Sequence, residues 1–127
     1  MIHILLVDDD LNFRRSLVIE LELEGYRITE AENATQALSF LEKCQSKGSF
    51  PDVVITDVRM PEIGGGEFAI LVHAKYPQLP ILVISAFDLP EGLSGYPFLR
   101  KPFKIDEMVG AINKICSNKN NLTEVER

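Results

Sequence analysis

Three consecutive aspartates, Asp8, Asp9 and Asp10, close an apolar run near the N-terminus, and Asp57 closes another. Ser85 ends a third such run, and Arg100-Lys101 a fourth. Carboxylates gathered in one place repel, which raises the proton affinity of at least one of them. A hard divalent cation relieves that repulsion. Mg2+ suits one or two carboxylates with a backbone carbonyl and waters, and Mn2+ is the alternative. A carboxylate beside such an ion can attack phosphorus. The phosphoryl group in transit needs a positive partner and a hydrogen-bond donor, and Lys101 and Ser85 are of those types. The plainer reading is an acidic rim with a salt-bridging lysine, and residue types alone leave both open.

The elements that must position these residues can be read from hydrophobic period. Ile2–Val7 is a short apolar run interrupted only by His3, as expected of a parallel strand buried on both faces. Val53–Thr56 and Pro80–Ile84 are further strands of this kind, Tyr26–Glu30 alternates weakly, and Phe98–Arg100 is a short fifth strand. Phe13, Leu17 and Leu21 recur at helical spacing up to Gly25. Asn33 is placed to cap a helix with an apolar face of Ala34, Ala37, Leu38 and Leu41, which ends before the Lys47-Gly48-Ser49 loop. Gly64-Gly65-Gly66 turns into a helix carrying Phe68, Leu71 and Val72, closed at Tyr76-Pro77. Ile105, Met108, Val109, Ile112 and Ile115 give the clearest helical face. Residues 118–127 lack a stripe and read as a polar tail or the start of a linker, leaving 1–117 as one domain. Strands alternating with helices predict a doubly wound α/β fold with a parallel sheet. Such folds place their reactive site outside the carboxyl ends of the strands, where all four polar run-ends would converge.

Composition narrows the function. The formal charge of −6 argues against the clustered basic surface that nonspecific nucleic-acid binding or an anionic membrane requires. The opening apolar run of Ile2–Val7 is too short for a signal peptide or a membrane span. The two cysteines, Cys44 and Cys116, form no CxxC pair and read as small core residues of a reducing compartment, so the cytoplasm is expected. Asn33-Ala34-Thr35 and Asn121-Leu122-Thr123 match the glycosylation pattern by chance on this reading. The glycine triplet lacks the GK[ST] of a phosphate-cradling loop. His3 and His73 are not spaced as a metal pair and are expected at the surface or an edge, and Arg14-Arg15 on a solvated helix face.

Four runs together resemble a known family. Leu5-Leu6-Val7-Asp8-Asp9-Asp10, Asp52-Val53-Val54-Ile55-Thr56-Asp57-Val58-Arg59-Met60-Pro61, Val83-Ile84-Ser85-Ala86 and Lys101-Pro102-Phe103 look like those of receiver domains of two-component response regulators, of the chemotaxis-regulator kind. The likeness covers Ile2 to about Ser117, with its motifs in order. It implies a flavodoxin-like (βα)5 fold with strand order 2-1-3-4-5. It also implies that Asp57 accepts a phosphoryl group from a sensor histidine kinase, a phosphotransfer protein or a small donor. Asp9 would then ligate Mg2+ directly, Asp8 would assist, often through water, and Asp57 and the backbone carbonyl of Arg59 would complete the set. Ser85 would hydrogen-bond the phosphoryl group, and Lys101 would pair with it from a cis Lys101-Pro102 bond. Phe98 falls at the aromatic switch position, Ala86 leaves room beside the phosphate, and Asp10 is a helix N-cap. Such a domain is a switch rather than an enzyme acting on substrates. It catalyses only its own phosphorylation and dephosphorylation, signals to an output domain or protein, and works as a monomer or a phosphorylation-dependent dimer.

Three departures stand out. The span from Ser85 to Lys101 is short and carries Pro90, Gly92, Gly95 and Pro97, so a shortened or missing fourth helix is expected, which puts the usual output face in doubt. Gly64 stands where an aspartate is common, and the switch residue Phe98 has no hydroxyl. Two other functions compete. A haloacid-dehalogenase-type phosphatase would use Asp8 as nucleophile and Asp10 as acid/base, but it leaves Asp57 idle. A receiver-like interaction module that is never phosphorylated fits the short fourth segment but not the intact set of site residues.

Overall fold

Five short segments become the strands of one parallel sheet: β1 (His3–Val7), β2 (Arg27–Ala31), β3 (Val53–Asp57), β4 (Ile81–Ser85) and β5 (Phe98–Arg100), in the order β2-β1-β3-β4-β5. The computed structural model describes residues 1–59 and 65–125, with backbone alone for 118–125. The expected Gly64 departure lies outside the described residues. Helices α1 (Leu11–Leu23), α2 (Ala34–Lys47), α3 (Gly65–Lys75) and α4 (Ile105–Val125) cover both faces.

The continuous apolar runs have a simple cause. Successive side chains of a strand point to opposite faces, so a strand covered on both sides must be apolar at every position. Leu5 and Val7 pack with Val54, Ile81 and Val83 against Ala37, Leu41, Phe68 and Val72 on the α2–α3 side. Ile4 and Leu6 pack with Val53, Ile55, Leu82 and Ile84 against Leu17, Leu21, Met108 and Ile112 on the α1–α4 side. Asp10 caps α1, its side chain accepting the Phe13 N–H at 3.1 Å, and Asn33 caps α2 from the same relative position at 2.8 Å. Gly25, at φ 95°, turns the chain out of α1 in a conformation that other residues rarely adopt. Cys44 and Cys116 are buried and not disulfide-bonded.

The expected loss of a fourth helix is met by a single 3-10 turn over Glu91–Leu93. Pro90 and Pro97 withhold N–H groups on either side, so the chain closes only local bonds, from Leu93 N to Pro90 O and from Tyr96 N to Leu93 O. Leu93 is 1% exposed and fills the space over α3 that a helix would otherwise cover. Its Cδ1 comes so close that a Cβ on Gly66 would lie 3.3 Å away, which gives the last glycine of the triplet a packing role.

Several expectations need correction. β2 begins after Tyr26, which instead packs into the α1–α4 core and donates its hydroxyl to Asn113 Oδ1 at 3.1 Å. Leu71 is exposed, and Ala69 takes its place on the buried face of α3. His73 is exposed as expected, whereas His3 is half-buried beside the Thr29 hydroxyl, Nε2 to Oγ1 2.7 Å. The helical backbone of α4 continues through the polar residues to Val125.

One core residue is at odds with its surroundings. Tyr76 is 8% exposed, and its hydroxyl has no partner among the described residues. A buried polar group left unbonded costs about 1–3 kcal/mol. Tyr76→Phe should therefore be neutral or stabilising in urea unfolding, and a loss beyond about 1 kcal/mol would show that the hydroxyl is bonded.

Candidate functional site

The strand register assembles the site. Val7 pairs with Thr56, Asp57 with Ile84, and Ser85 with Arg100, so the residues that end β1, β3, β4 and β5 lie along one edge. The ladder runs just beyond the strands, from Asp8 N to Ala31 O, Val58 N to Ile84 O, and Lys101 N to Ser85 O at 3.1, 3.2 and 2.8 Å. Each polar side chain is thus carried by a hydrogen-bonded backbone and not by a free loop.

Lys101 joins the acids. Its Nζ lies 2.6 Å from Asp57 Oδ2 and 3.0 Å from Asp8 Oδ2. The other oxygen of each carboxylate accepts a backbone N–H, Asp10 N to Asp8 Oδ1 and Arg59 N to Asp57 Oδ1, both at 2.9 Å. The Lys101-Pro102 bond is cis, as the resemblance implied. The Phe13 ring lies under the ammonium, 3.8 Å from Nζ to the centroid. Ser85 is buried, and its Oγ accepts the Phe87 N–H at 3.0 Å. Arg59 stacks on the exposed Phe87 ring, 3.6 Å to the centroid, bridging the loops after β3 and β4 at the mouth of the site. Phe98 is half-buried on β5 against the α2–α3 core.

The three acids of the first run are not equivalent. Asp8 is 1% exposed and shares Lys101 with Asp57. Asp9 is exposed beside them, and Asp10 is spent on the cap of α1. Among the described residues no three His, Cys, Asp or Glu side chains stand together as a ready-made metal site. The donor set nonetheless fits Mg2+, being all hard oxygen, with two carboxylates already converging on one cation. Counting Asp8, Asp9 and Asp57 against Lys101, three negative charges meet one positive, and a net of −2 remains for a divalent ion to offset.

Burial pushes the Asp8 carboxyl above the usual aspartate range, against the pull of the Asp10 N–H and of Lys101. Burial pulls the Lys101 ammonium down, but its hydrogen bonds to Asp57 and Asp8 outweigh this and leave it raised. A carboxyl whose folded pKa is raised holds its proton more tightly folded than unfolded. Its contribution favours the fold below about pH 4 and is lost as pH rises through the raised value. Asp8→Asn should therefore raise stability by about 0.5–2 kcal/mol at pH 7 in metal-free buffer, with the gain vanishing toward pH 3. Equal urea midpoints for the two proteins at pH 7 would contradict this.

Arg14 was not expected here. It is 7% exposed, donates from Nη1 to the Asp8 carbonyl at 2.6 Å and pairs through Nε with Glu30 at 3.0 Å. Arg15 is the solvated member of the pair and reaches the other Glu30 oxygen at 2.9 Å. The reading of Arg14 as part of a solvated face is overturned because Glu30, on β2, gives its charge a partner beneath α1. Residue type alone gave no such signal, since the partner lies 16 positions away.

The chain also matches known proteins. A family model described as the response regulator receiver domain matches residues 4–113. The C4-dicarboxylate transport transcriptional regulatory protein DctD of Pseudomonas aeruginosa is 33% identical over 118 residues, 88% of this chain and 24% of that protein. The chain spans between 23% and 54% of the length of the curated relatives it matches. The crystal structure of TrrA from Thermotoga maritima with Mg2+-BeF superposes with TM-score 0.79 at 32% identity, covering 91% of this chain and 99% of that one. TrrA crystallised with the histidine kinase ThkA is equally similar, with TM-score 0.79 and 32% identity over 91% of this chain and 98% of that one.

Proposed function

We propose a working cycle for this chain, which belongs to the response regulator receiver family and so is a signalling domain of two-component systems: Asp57 takes a phosphoryl group, and the modified site changes what the domain binds. The observation that carries this reading is the Lys101 ammonium held between Asp57 and Asp8 at the carboxyl edge of the sheet. An Asp57 oxygen attacks phosphorus. The new O–P bond forms as the P–N bond to a histidine of a sensor kinase or phosphotransfer protein, or the P–O bond to a small donor, breaks. The leaving group departs with the electron pair. Lys101 follows the negative charge onto the phosphoryl oxygens, the Ser85 hydroxyl donates to them, and Phe98 turns further inward. Asp8, Asp9 and Asp57 with the Arg59 carbonyl would hold Mg2+, with Mn2+ as the alternative. When bound, the ion offsets the charge of the carboxylates and of the incoming phosphoryl group.

That TrrA was crystallised with a histidine kinase supports a kinase as donor. Leu11, Ile19 and Leu23 form an exposed apolar stripe on α1, which starts beside the acids, and we assign the kinase to that face. The receiver spans 1–117 on this reading, and 118–127 is a polar tail or the start of a linker. With only a 3-10 turn before β5, the face most often used for output is reduced, and the domain works as a monomer or as a dimer formed on phosphorylation. The cytoplasm is its place on this reading. No helix among the described residues is long and apolar enough to cross a membrane.

The test is incorporation of label from radioactive acetyl phosphate. It should require Mg2+, stop with EDTA, and be absent from Asp57→Asn. Labelling of Asp57→Asn at the wild-type rate would refute the assignment.

A further inference from the structure

The ammonium of Lys101 has a third neighbour that the acids do not account for. Phe13 sits in the first turn of α1, directly after the Asp10 cap, and its ring lies 3.8 Å from Lys101 Nζ. That ring is braced in turn by Phe103, edge-on at 88° with centroids 6.1 Å apart. The wall is therefore built from two segments, α1 and the loop that follows Lys101-Pro102. Together with the acids it leaves the Lys101 side chain 16% exposed.

A lysine is a charge on a flexible stem, and holding it in one place costs rotamer freedom. Hydrogen bonds to Asp57 and Asp8 hold it before phosphoryl transfer. Once Asp57 carries a phosphoryl group, that carboxylate no longer offers the same charged oxygen, and the ammonium must move to new acceptors. An aromatic face attracts a cation through its quadrupole with little directional demand. It can therefore keep hold of the ammonium while its hydrogen-bond partners change. We propose that Phe13 is a positioning residue for Lys101, retaining the ammonium over the site as it passes from carboxylate to phosphoryl oxygens. This rests on Asp57 being the phosphoacceptor. An aliphatic side chain of similar volume would fill the same space and supply none of that attraction.

The experiment compares full-length wild type, Phe13→Leu and Phe13→Tyr. Three quantities are measured: the maximal rate of Asp57 labelling by acetyl phosphate, the Mg2+ concentration giving half that rate, and the chemical shift of the Lys101 ε-protons in selectively labelled protein. Phe13→Leu conserves volume closely enough to fold, and its urea midpoint checks this. The expected result is an upfield ring-current shift of the Lys101 ε-protons in wild type, lost in Phe13→Leu and restored in Phe13→Tyr. The maximal rate should fall about tenfold in Phe13→Leu and recover in Phe13→Tyr, with the half-saturating Mg2+ unchanged. A Phe13→Leu variant labelled at the wild-type rate overturns the proposal, as does a Phe13→Tyr variant as slow as Phe13→Leu, which would mean packing alone. Absence of the ring-current shift in wild type overturns it too. A wild type that takes no label removes the phosphoacceptor reading and this role with it, and the wild-type control tells that failure from a failure of Phe13 alone.

Discussion

Lys101→Met should slow labelling of Asp57 by roughly 10²–10³, the loss that follows removal of one preorganised group from a site of developing negative charge. The ammonium lies within hydrogen-bond distance of both Asp57 and Asp8, so it is already where the phosphoryl oxygens would arrive. The substitution also leaves Asp8, 1% exposed, without its cation. Removing one partner of a buried ion pair costs about 3–5 kcal/mol when the remaining charge stays ionised. Protonation of Asp8 relieves that cost, and burial already pushes this carboxyl up. The stability deficit of Lys101→Met should thus be largest at neutral pH and shrink as pH falls through the aspartate range. The raised pKa of Lys101 acts at the other end of the scale: its stabilising contribution is complete below about pH 10 and is lost as pH rises through the raised value. A deficit that does not vary between pH 7 and pH 4 would show that Asp8 is not the group left exposed to the loss.

Arg14→Met should cost about 2–3 kcal/mol, since it strips a charged donor from the Asp8 carbonyl and from half-buried Glu30. The effect should reach the site. Arg14 holds the backbone from which the Asp8 and Asp9 side chains project, and loss of such a supporting contact typically weakens metal binding by about 10–100-fold. A double cycle with Glu30→Gln separates the two roles. Coupling in stability should approach the cost of the single variant, whereas the change in Mg2+ affinity should follow Arg14 and not Glu30. An Arg14→Met protein within about 0.5 kcal/mol of wild type, with unchanged Mg2+ affinity, would reduce this network to a surface ion pair.

These two residues also mark how far the sequence can be read. Lys101, Asp57, Ser85 and Asp8 were legible because each follows or ends an apolar run, and parallel register brings run-ends to one edge. The short segment before β5 was legible because prolines and glycines at fixed places forbid a long helix. Arg14 was not legible: an arginine on an amphipathic helix looks solvated until the residue beneath it is known, and here that residue lies on β2, 16 positions on. Leu93 was missed for the same reason, since an isolated leucine between glycines carries no period, and its burial depends on α3. Asp10 was legible as the cap of α1, and it is one. Adjacency in sequence did not show that Asp8 is a buried partner of Lys101 while Asp9 is exposed.

That division sharpens the competing functions. Phosphatase chemistry of the haloacid-dehalogenase kind needs Asp10 as acid/base, but Asp10 accepts the Phe13 N–H as the cap of α1. It also leaves unexplained why Asp57, at the end of β3, is held by Lys101. A module that is never modified would hold the same ion pair to neutralise buried Asp8, so labelling and not geometry separates it from the switch.

The central claim is that Asp57 is the phosphoacceptor, and one measurement tests it directly. The protein is incubated with Mg2+ and acetyl phosphate, the acyl phosphate is reduced with borohydride, and the modified residue is located by mass spectrometry. The account predicts modification at Asp57 alone, dependent on Mg2+. Modification at Asp8 would contradict it in favour of phosphatase-like chemistry, and an unmodified protein that still binds Mg2+ would contradict it in favour of a silent binding module.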